Sequence, residues 1–539
     1  LIHTRGPDNT GFYFTSNTLL GHKRLKILDI SDQSNQPYNR VKGKTLIYNG
    51  EVYNYKELSK KLENETDFNN FEILSDTQIV YEILLRYKEY SINLFDGMFS
   101  FGWHDENDNS TLIARDPLGQ KPLYYYHDEN ETIYSSELSS ITFLKKDLKL
   151  SKKNFAEFLK FAYYPGESTP FENIYKLLPG HYLFIKDGYL NKIRYWDNKP
   201  KRSILIDNNL SEEKAIDKFL DKFLYSCEKT SIADVPVGIF LSGGIDSSLV
   251  YSAYKALGKD IQSFTVGFED DEFDESKNAF KLVNDTSKYN EIILNSNDVG
   301  DAIQDIFSII DEPHGDPGLI NAYLLTKFAK EKVTVGITGD GADELFGGYA
   351  TFQALSLSNK TSFVPRKFFK VLRKLLDFTN DADGYMNFSF KVKRFLNGNS
   401  KRGMHRYLNW IGCEENIFLS SLFDDELISN YFLSGEIDND SLIQCDIEKD
   451  DFKKGDIESL LYFYQKNFLP GFVCHHTDRA SMMNSLEVRS PFLNKEIINF
   501  ANSLDKKYKY KNNQTKFILR KALKKLGGSE ELVKRKKMG

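Results

Sequence analysis

Residues 240–250 read FLSGGIDSSLV, with two glycines, an aspartate and three serines behind an apolar run. A bare turn needs one or two such residues. The run PVGIFL predicts a strand, and the residues from about Asp246 onward predict a helix. Glycines between them let backbone N–H groups approach an anion, and the helix N-terminus adds partial positive charge. The hydroxyls of Ser242, Ser247 and Ser248 offer further donors. Asp246 repels phosphate unless a cation stands between them, so the pattern points to phosphate held with Mg²⁺. An ordinary capped turn, with Asp246 or Ser247 as N-cap, is the plainer alternative. A second group lies in GDGADELFGGY, residues 339–349, behind the apolar run VTVGIT. Asp340, Asp343 and Glu344 crowd one glycine-rich turn there, and crowded carboxylates repel unless a cation gathers them. A surface acidic loop is the alternative. The string G-x-x-x-x-G-K-S/T is absent, which excludes a P-loop.

The elements that must hold these groups follow from hydrophobic period. Up to Trp196 the chain reads as short strands. Phe99, Phe101 and Trp103 fall on one face at period two, and HYLFIKDGYLNKIRYW places Asp187-Gly188 as a hairpin turn. YKELSKKL and TQIVYEILLRYK read as helices. The first part is therefore α+β and rich in antiparallel sheet. DNKPKRSILIDNNL, residues 197–210, reads as a linker. Beyond it strands alternate with helices, including ESKNAFKLVN (275–284) and DVGDAIQDIFSII, whose Ile303, Ile306, Phe307 and Ile310 share one face. That alternation predicts a parallel sheet covered on both faces, with ligands at the strands' carboxyl ends. After Tyr349 the chain reads as mainly helical.

The 539 residues suffice for two or three domains, and 40% hydrophobic content supports a substantial core. A net charge of -6 gives no broad basic field, which argues against nucleic acid as a partner. No apolar run is long enough to span a membrane, and no signal pattern opens the chain. Cys227, Cys413, Cys445 and Cys474 are scattered, as expected of a reduced, cytoplasmic protein without disulfides. CHHTDR, residues 474–479, offers metal-ligating types, but adjacent residues diverge on any regular element and no second cluster has ligand spacing.

SGGIDSS resembles the pyrophosphate-binding loop of the ATP pyrophosphatase superfamily, and the chain as a whole is similar to glutamine-hydrolysing asparagine synthetases. The resemblance implies ATP at Leu241, Ser242, Gly243, Gly244, Asp246, Ser247, Ser248, Val266, Thr338 and Gly339, with Asp246 and Asp343 on Mg²⁺. It implies catalytic roles for Asp340, near the acyl-adenylate, and for Lys516 in TKFILRKAL, which meets developing phosphate charge. A solvated helix lysine is the alternative for Lys516. DEPHGDP, residues 311–317, resembles a family segment near pyrophosphate and substrate. In LEVRSPFLN, Asn494 stands where the family has aspartate.

Upstream, RGPDNTG, GHKRLKILD, YNGEVYNY, SDTQ and RDPLGQKPLYY, in that order, resemble the glutaminase domain of class II amidotransferases. That domain's four-layer αββα, Ntn-hydrolase-like fold is expected over residues 1–198, and the ATP pyrophosphatase domain with a helical C-terminal part over 210–539. Carried over, Arg24 would clamp the glutamine carboxylate and Asn49 and Gly50 would form the oxyanion hole. Glu51 and Asp76 would take the ammonium. Such glutaminases use an N-terminal cysteine as nucleophile. LIHTRGPD lies a few dozen residues downstream of that start, and no cysteine precedes Cys227, so the expectation is a chain truncated at both ends that does not itself hydrolyse glutamine. A natural loss, as in the related β-lactam synthetases, is the rarer account. The implied reaction is amidation of aspartate through β-aspartyl-AMP, with glutamine and aspartate as small-molecule partners, and a homodimer is admitted. Alternatives are another acceptor, such as a sugar uronate or a peptide, or a non-catalytic nucleotide-binding protein with a dead glutaminase.

Overall fold

The computed structural model describes residues 2–65, 75–199, 210–269, 274–283, 286–376, 388–401, 403–413, 416–444 and 456–535. Most of the expected linker and Cys445 lie outside the described residues. The first half carries strands β1 (Asn9–Phe14), β2 (Leu19–Arg24), β3 (Lys44–Val52), β4 (Gly97–Asp105), β5 (Ser110–Arg115), β6 (Tyr124–His127), β7 (Thr132–Ser135), β8 (Ile174–Lys176), β9 (His181–Lys186) and β10 (Tyr189–Arg194). A five-stranded antiparallel sheet runs β10-β9-β5-β4-β3, and a three-stranded one runs β7-β6-β8. The β9–β10 turn is Asp187-Gly188, both at positive φ (51° and 82°), as a tight two-residue hairpin requires.

Period-two alternation sets the layers. Phe99, Phe101 and Trp103 of β4 and Leu112 and Ala114 of β5 face helices Tyr55–Glu65 and Asp76–Tyr87. Ile113 and Leu183 point the other way, onto Tyr125 of β6. Tyr124, on the far face of β6, packs against Leu138 and Ile141 of helix Leu138–Leu144. The order helix, sheet, sheet, helix is the expected αββα arrangement.

The second half is built on β11 (Val237–Phe240), β12 (Gln262–Phe268), β13 (Tyr289–Leu294), β14 (Val335–Ile337) and β15 (Glu487–Arg489). They form one parallel sheet in the order β13-β12-β11-β14-β15. Ile239, Val335 and Ile337 pack on one face beneath helices Glu212–Thr230, Ile245–Ala256 and Phe517–Lys525. Phe264 and Leu486 pack on the other against helix Gly318–Ala329. Two local expectations need correction. The helix expected over 275–284 is only Ser276–Phe280. In helix Ser296–Ile309 the buried stripe is Ala302 and Ile306, continued by the partly buried Ile310, while Phe307 is 75% exposed. A small alanine takes the inward position, and the large apolar side chain stays outside.

Buried ion pairs join the two halves. Arg489 on β15 bonds Glu487 (2.9 Å) and, across the junction, Glu51 at the end of β3 (2.8 Å). Its remaining N–H groups donate to the carbonyls of Thr230 (3.2 Å) and Ile232 (2.7 Å). Arg5 binds Asp478 at 2.7 Å, and Lys121 lies 3.6 Å from Asp478 and 3.5 Å from Glu487. Asn494 caps helix Lys495–Ser503 and donates to Asp96 Oδ2 at 2.9 Å. An aspartate at position 494 would set two carboxylates against each other; the amide supplies a donor instead. Arg489→Ala takes from the buried Glu51 and Glu487 the guanidinium they share and leaves Glu487 with Lys121 at 3.5 Å. It is expected to cost about 3–5 kcal/mol, read as a fall in urea midpoint against wild type.

Candidate active site

A cleft of about 570 Å³ opens at the carboxyl ends of β11, β12 and β14. The chain leaves β11 toward β12 and β13, then returns to β14 on the opposite side. The cleft therefore sits at the switch point where open parallel sheets bind ligands. Leu241, Ser242, Asp246 and Ser247 line it, as do Val266 on β12 and Thr338 and Gly339 beyond β14. Gly243, Gly244 and Ser248 lie outside the lining. The Gly243 carbonyl accepts from Arg535 Nη1 at 2.8 Å, and Ser248 is fully buried. Gly244, not Asp246 or Ser247, is the N-cap of helix Ile245–Ala256. The loop hydroxyls are tied to the loop itself: Ser242 N–H donates to Ser247 Oγ (3.2 Å) and Gly244 N–H to Ser242 Oγ (3.3 Å).

The cation between the carboxylates is Lys516. Its Nζ lies 2.5 Å from Asp246 Oδ2 and 2.6 Å from Asp343 Oδ1. The residue is 5% exposed, so the solvated-lysine alternative fails. Burial alone would lower its pKa, but Asp246 and then Asp343 outweigh this and hold it above the ordinary lysine value. Gly348 makes room for this contact: a Cβ there would stand 1.7 Å from Asp343 Oδ1 and 2.0 Å from Lys516 Cε. The acidic turn is not a surface loop either, since Glu344 is 1% exposed. Asp340 accepts from Thr477 Oγ1 (2.8 Å) and Thr338 Oγ1 (3.2 Å). Burial raises its pKa, opposed by His476.

A second cavity, of about 160 Å³, lies in the first half and is lined by Arg24, Asn49, Gly50, Glu51 and Asp76. Gly50 has φ +139°, and a Cβ there would meet the Met98 carbonyl at 2.0 Å, so the strand end demands glycine. Asn49 Nδ2 lies 3.4 Å from Ser136 Oγ. Asp76 Oδ2 accepts from Tyr48 Oη (2.7 Å) and Val52 N–H (2.9 Å). Burial and then the Asp76 charge push Glu51 well above the usual carboxylate range, against the pull of Arg489; burial raises Asp76 as well. Arg24 does not present an open fork. It donates to Ser31 O (2.7 Å), Asn35 Oδ1 (2.9 Å), Leu28 O (3.2 Å) and Asp29 O, tying down that loop.

Sequence reasoning missed Arg489, Thr477, His476 and Asp316 as site residues. Each stood in a segment already singled out, LEVRSPFLN, CHHTDR or DEPHGDP. Their partners are far away along the chain, so no spacing rule could pair them. Between the two cavities is a small one of about 30 Å³, walled by Lys121, Asp478 and Arg489 as well as Met98, Cys474 and Leu493. Its walls thus mix charged and apolar groups.

A family model described as asparagine synthase matches residues 218–539, and one described as glutamine amidotransferase domain matches residues 1–196. The chain belongs to the asparagine synthase family. The glutamine-hydrolyzing asparagine synthetase 1 of Bacillus subtilis (strain 168) is 30% identical over 552 residues, covering 100% of this chain and 82% of its own length. A putative glutamine-hydrolyzing asparagine synthetase 2 of Methanocaldococcus jannaschii is 30% identical over 514 residues, covering 89% of this chain and 93% of its own. Amidase chry2 of Gibberella zeae is 26% identical over 566 residues, covering 97% and 81%. As a member of the asparagine synthase family with its amidotransferase half, the chain is an ATP-dependent carbon–nitrogen ligase that takes glutamine as amido donor. No helix among the described residues is long and apolar enough to cross a membrane.

Lys516→Met removes the ammonium that Asp246 and Asp343 share and leaves their mutual repulsion without it. Their folded pKa values then rise above the unfolded ones, so the penalty is full at neutral pH and shrinks as pH falls through the carboxylate range. The expected loss at pH 7 is about 3–5 kcal/mol. Thermal midpoints of both proteins in chelator-containing buffer, from pH 7 to pH 4, should converge.

Proposed function

We propose that this protein amidates the side-chain carboxylate of aspartate, using ammonia from glutamine, through β-aspartyl-AMP. The observation that carries the reading is the meeting of Asp246 and Asp343, from two neighbouring strand ends, at one cationic point beside the glycine turn. ATP would lie along the cleft with its adenine toward Val266 and its phosphates at the Ser242 and Ser247 hydroxyls, which would exchange loop contacts for phosphate oxygens. Two carboxylates that reach a single Nζ also suit one Mg²⁺, which commonly takes one or two carboxylates plus phosphate oxygens. When bound, Mg²⁺ supplies neutralisation of the leaving pyrophosphate. Lys516 brings an ammonium to the same phosphates.

The aspartate carboxylate attacks the α-phosphorus, and the bond to the β-phosphate oxygen breaks. Ammonia then attacks the acyl carbon and AMP leaves. Asp340, half-buried with a raised pKa, would take the proton the attacking nitrogen must lose. In the first half, the Asn49 amide and the Gly50 N–H would hold the oxyanion of the glutamine amide. Glu51 and Asp76, desolvated together, would receive the glutamine ammonium. Arg24 would exchange one of its loop acceptors for the glutamine carboxylate.

The same chemistry on a different carboxylate is the second reading, favoured by the match to a fungal protein named an amidase over 97% of this chain. Pyrophosphate release with ATP, Mg²⁺ and ammonia, measured across a panel of carboxylic acids, tests both. Aspartate is expected to be the preferred trigger, and Asp246→Asn and Asp343→Asn each to lower the rate by about 100-fold or more. Release with some other acid alone would replace the acceptor, and release unchanged in both variants would remove the adenylation reading. Glutamine binding should release protons, because the ammonium favours ionised Glu51 and Asp76; affinity then falls as pH falls. Calorimetry in buffers of different ionisation enthalpy measures this directly.

A further inference from the structure

The steps proposed for the reaction assign no role to the individual side chains in CHHTDR and DEPHGDP, and the fold presses these two segments together. The His475 ring stacks on His314, with centroids 5.2 Å apart and planes at 7°. His476 Nδ1 lies 3.1 Å from Asp316 Oδ2. Neighbours on helix Cys474–Met483 then part company. His475 turns toward Glu312 (3.9 Å), whereas His476 and Thr477 line the ATP-side cleft. Thr477 Oγ1 donates to Asp340 at 2.8 Å, which fixes this end of the helix at the reacting end of the cleft.

The cleft poses an electrostatic problem for its acceptor. Asp246, Glu275, Asp316, Asp340, Asp343 and Glu344 all line it, and no lysine or arginine does among the described residues. Lys516 is not among the lining residues and is paired with Asp246 and Asp343, at the phosphate end of the proposed ATP site. A dicarboxylic acceptor must leave one carboxylate unreacted among these acids. His476 is the one lining side chain able to carry positive charge toward it.

We propose that His476, held against Asp316, is the cation that seats the non-reacting carboxylate of a dicarboxylic acceptor. The assignment rests on the adenylating reading above and names the residue that selects the acid. The surroundings keep the ring charged. Burial disfavours the imidazolium, but Asp316 and Asp340 outweigh it and hold His476 above the ordinary histidine value. The two other facing imidazoles do not compete. Burial, then His475 and His476, pushes His314 well down, and burial, then Lys176, lowers His475 to about 3. Phe472 lies against both His314 (centroids 4.9 Å) and His476 (6.3 Å), and Phe468 stacks on Phe472 at 4.5 Å. This aromatic wall backs the ion pair on its inner side, and the pair remains partly open to the cleft.

The test is steady-state pyrophosphate release by the full chain with ATP, Mg²⁺, ammonia and varied aspartate. His476→Gln is expected to raise the KM for aspartate by about 10- to 100-fold and leave the KM for ATP within about twofold, the worth of one charge-assisted contact. His476→Lys, which restores a cation, should recover much of that loss, a result that mere damage to the fold would not give. In wild type the KM for aspartate should climb as pH rises through the His476 pKa. In Asp316→Asn the climb should begin at lower pH, because the imidazolium has lost its partner. A His476→Gln enzyme with unchanged aspartate KM, or a His476→Lys enzyme as impaired as the glutamine variant, would overturn the assignment alone. A wild-type enzyme silent with every acid would overturn it together with the adenylating reading.

Discussion

A guanidinium with almost no exposed surface ties the two halves of this protein together. Arg489 ends a strand of the parallel sheet, yet one of its carboxylate partners, Glu51, lines the cavity of the other half. Removing such a charge from water costs several kcal/mol, which only close partners offset. Here there are two carboxylates and two carbonyls. The arrangement makes the electrostatics of the first-half cavity depend on the position of β15. Glu51 and Asp76 are both desolvated, and without Arg489 nothing in the cavity would oppose their repulsion so directly. Correct seating of the sheet thus bears on the ionisation of Glu51 and Asp76.

The ATP-side cleft answers a related problem differently. Its acids are not matched one to one by bases. They converge: Asp246 and Asp343 share one ammonium, Asp340 leans on two threonine hydroxyls, and Asp316 holds a histidine. A cleft so arranged is poorly suited to a bare polyanion and well suited to one that arrives with its own cation. The glycines serve that convergence as much as they serve phosphate. Without a side chain at 348 the lysine can pass between the two carboxylates.

Much of this was legible in the sequence where the determinant is local. Period two in Phe99, Phe101 and Trp103 fixed which side chains of β4 face the helices, Asp187-Gly188 fixed a hairpin, and the glycine turn after PVGIFL marked the end of a central strand. Phe307 was misplaced because size and apolarity were read as burial, while a neighbouring alanine filled the inward position more closely. The ion pairs were not legible at all. Arg489 and Glu51 are 438 positions apart, and neither sits in a pattern that asks for the other. Lys516 was visible as a lysine at a helix start, but its burial came only with the fold, when helix Phe517–Lys525 docked on the sheet.

The small cavity between the two sites bears on how nitrogen passes in the proposed reaction. An apolar lining favours neutral ammonia by excluding charge, and this cavity reaches a similar end with charged groups already paired. Arg489 is held by Glu51 and Glu487, Lys121 stands between Glu487 and Asp478, and Asp478 is bonded by Arg5. Burial alone would raise the pKa of Asp478, yet Arg5 and Lys121 hold it below the usual carboxylate range. A carboxylate so matched offers little to a passing ammonium. A cation in this space would have to compete with fixed guanidinium and ammonium groups for the same oxygens, whereas neutral ammonia would not. Charge pairing across the junction therefore holds the halves in register and, in the proposed reaction, would also favour the uncharged nucleophile.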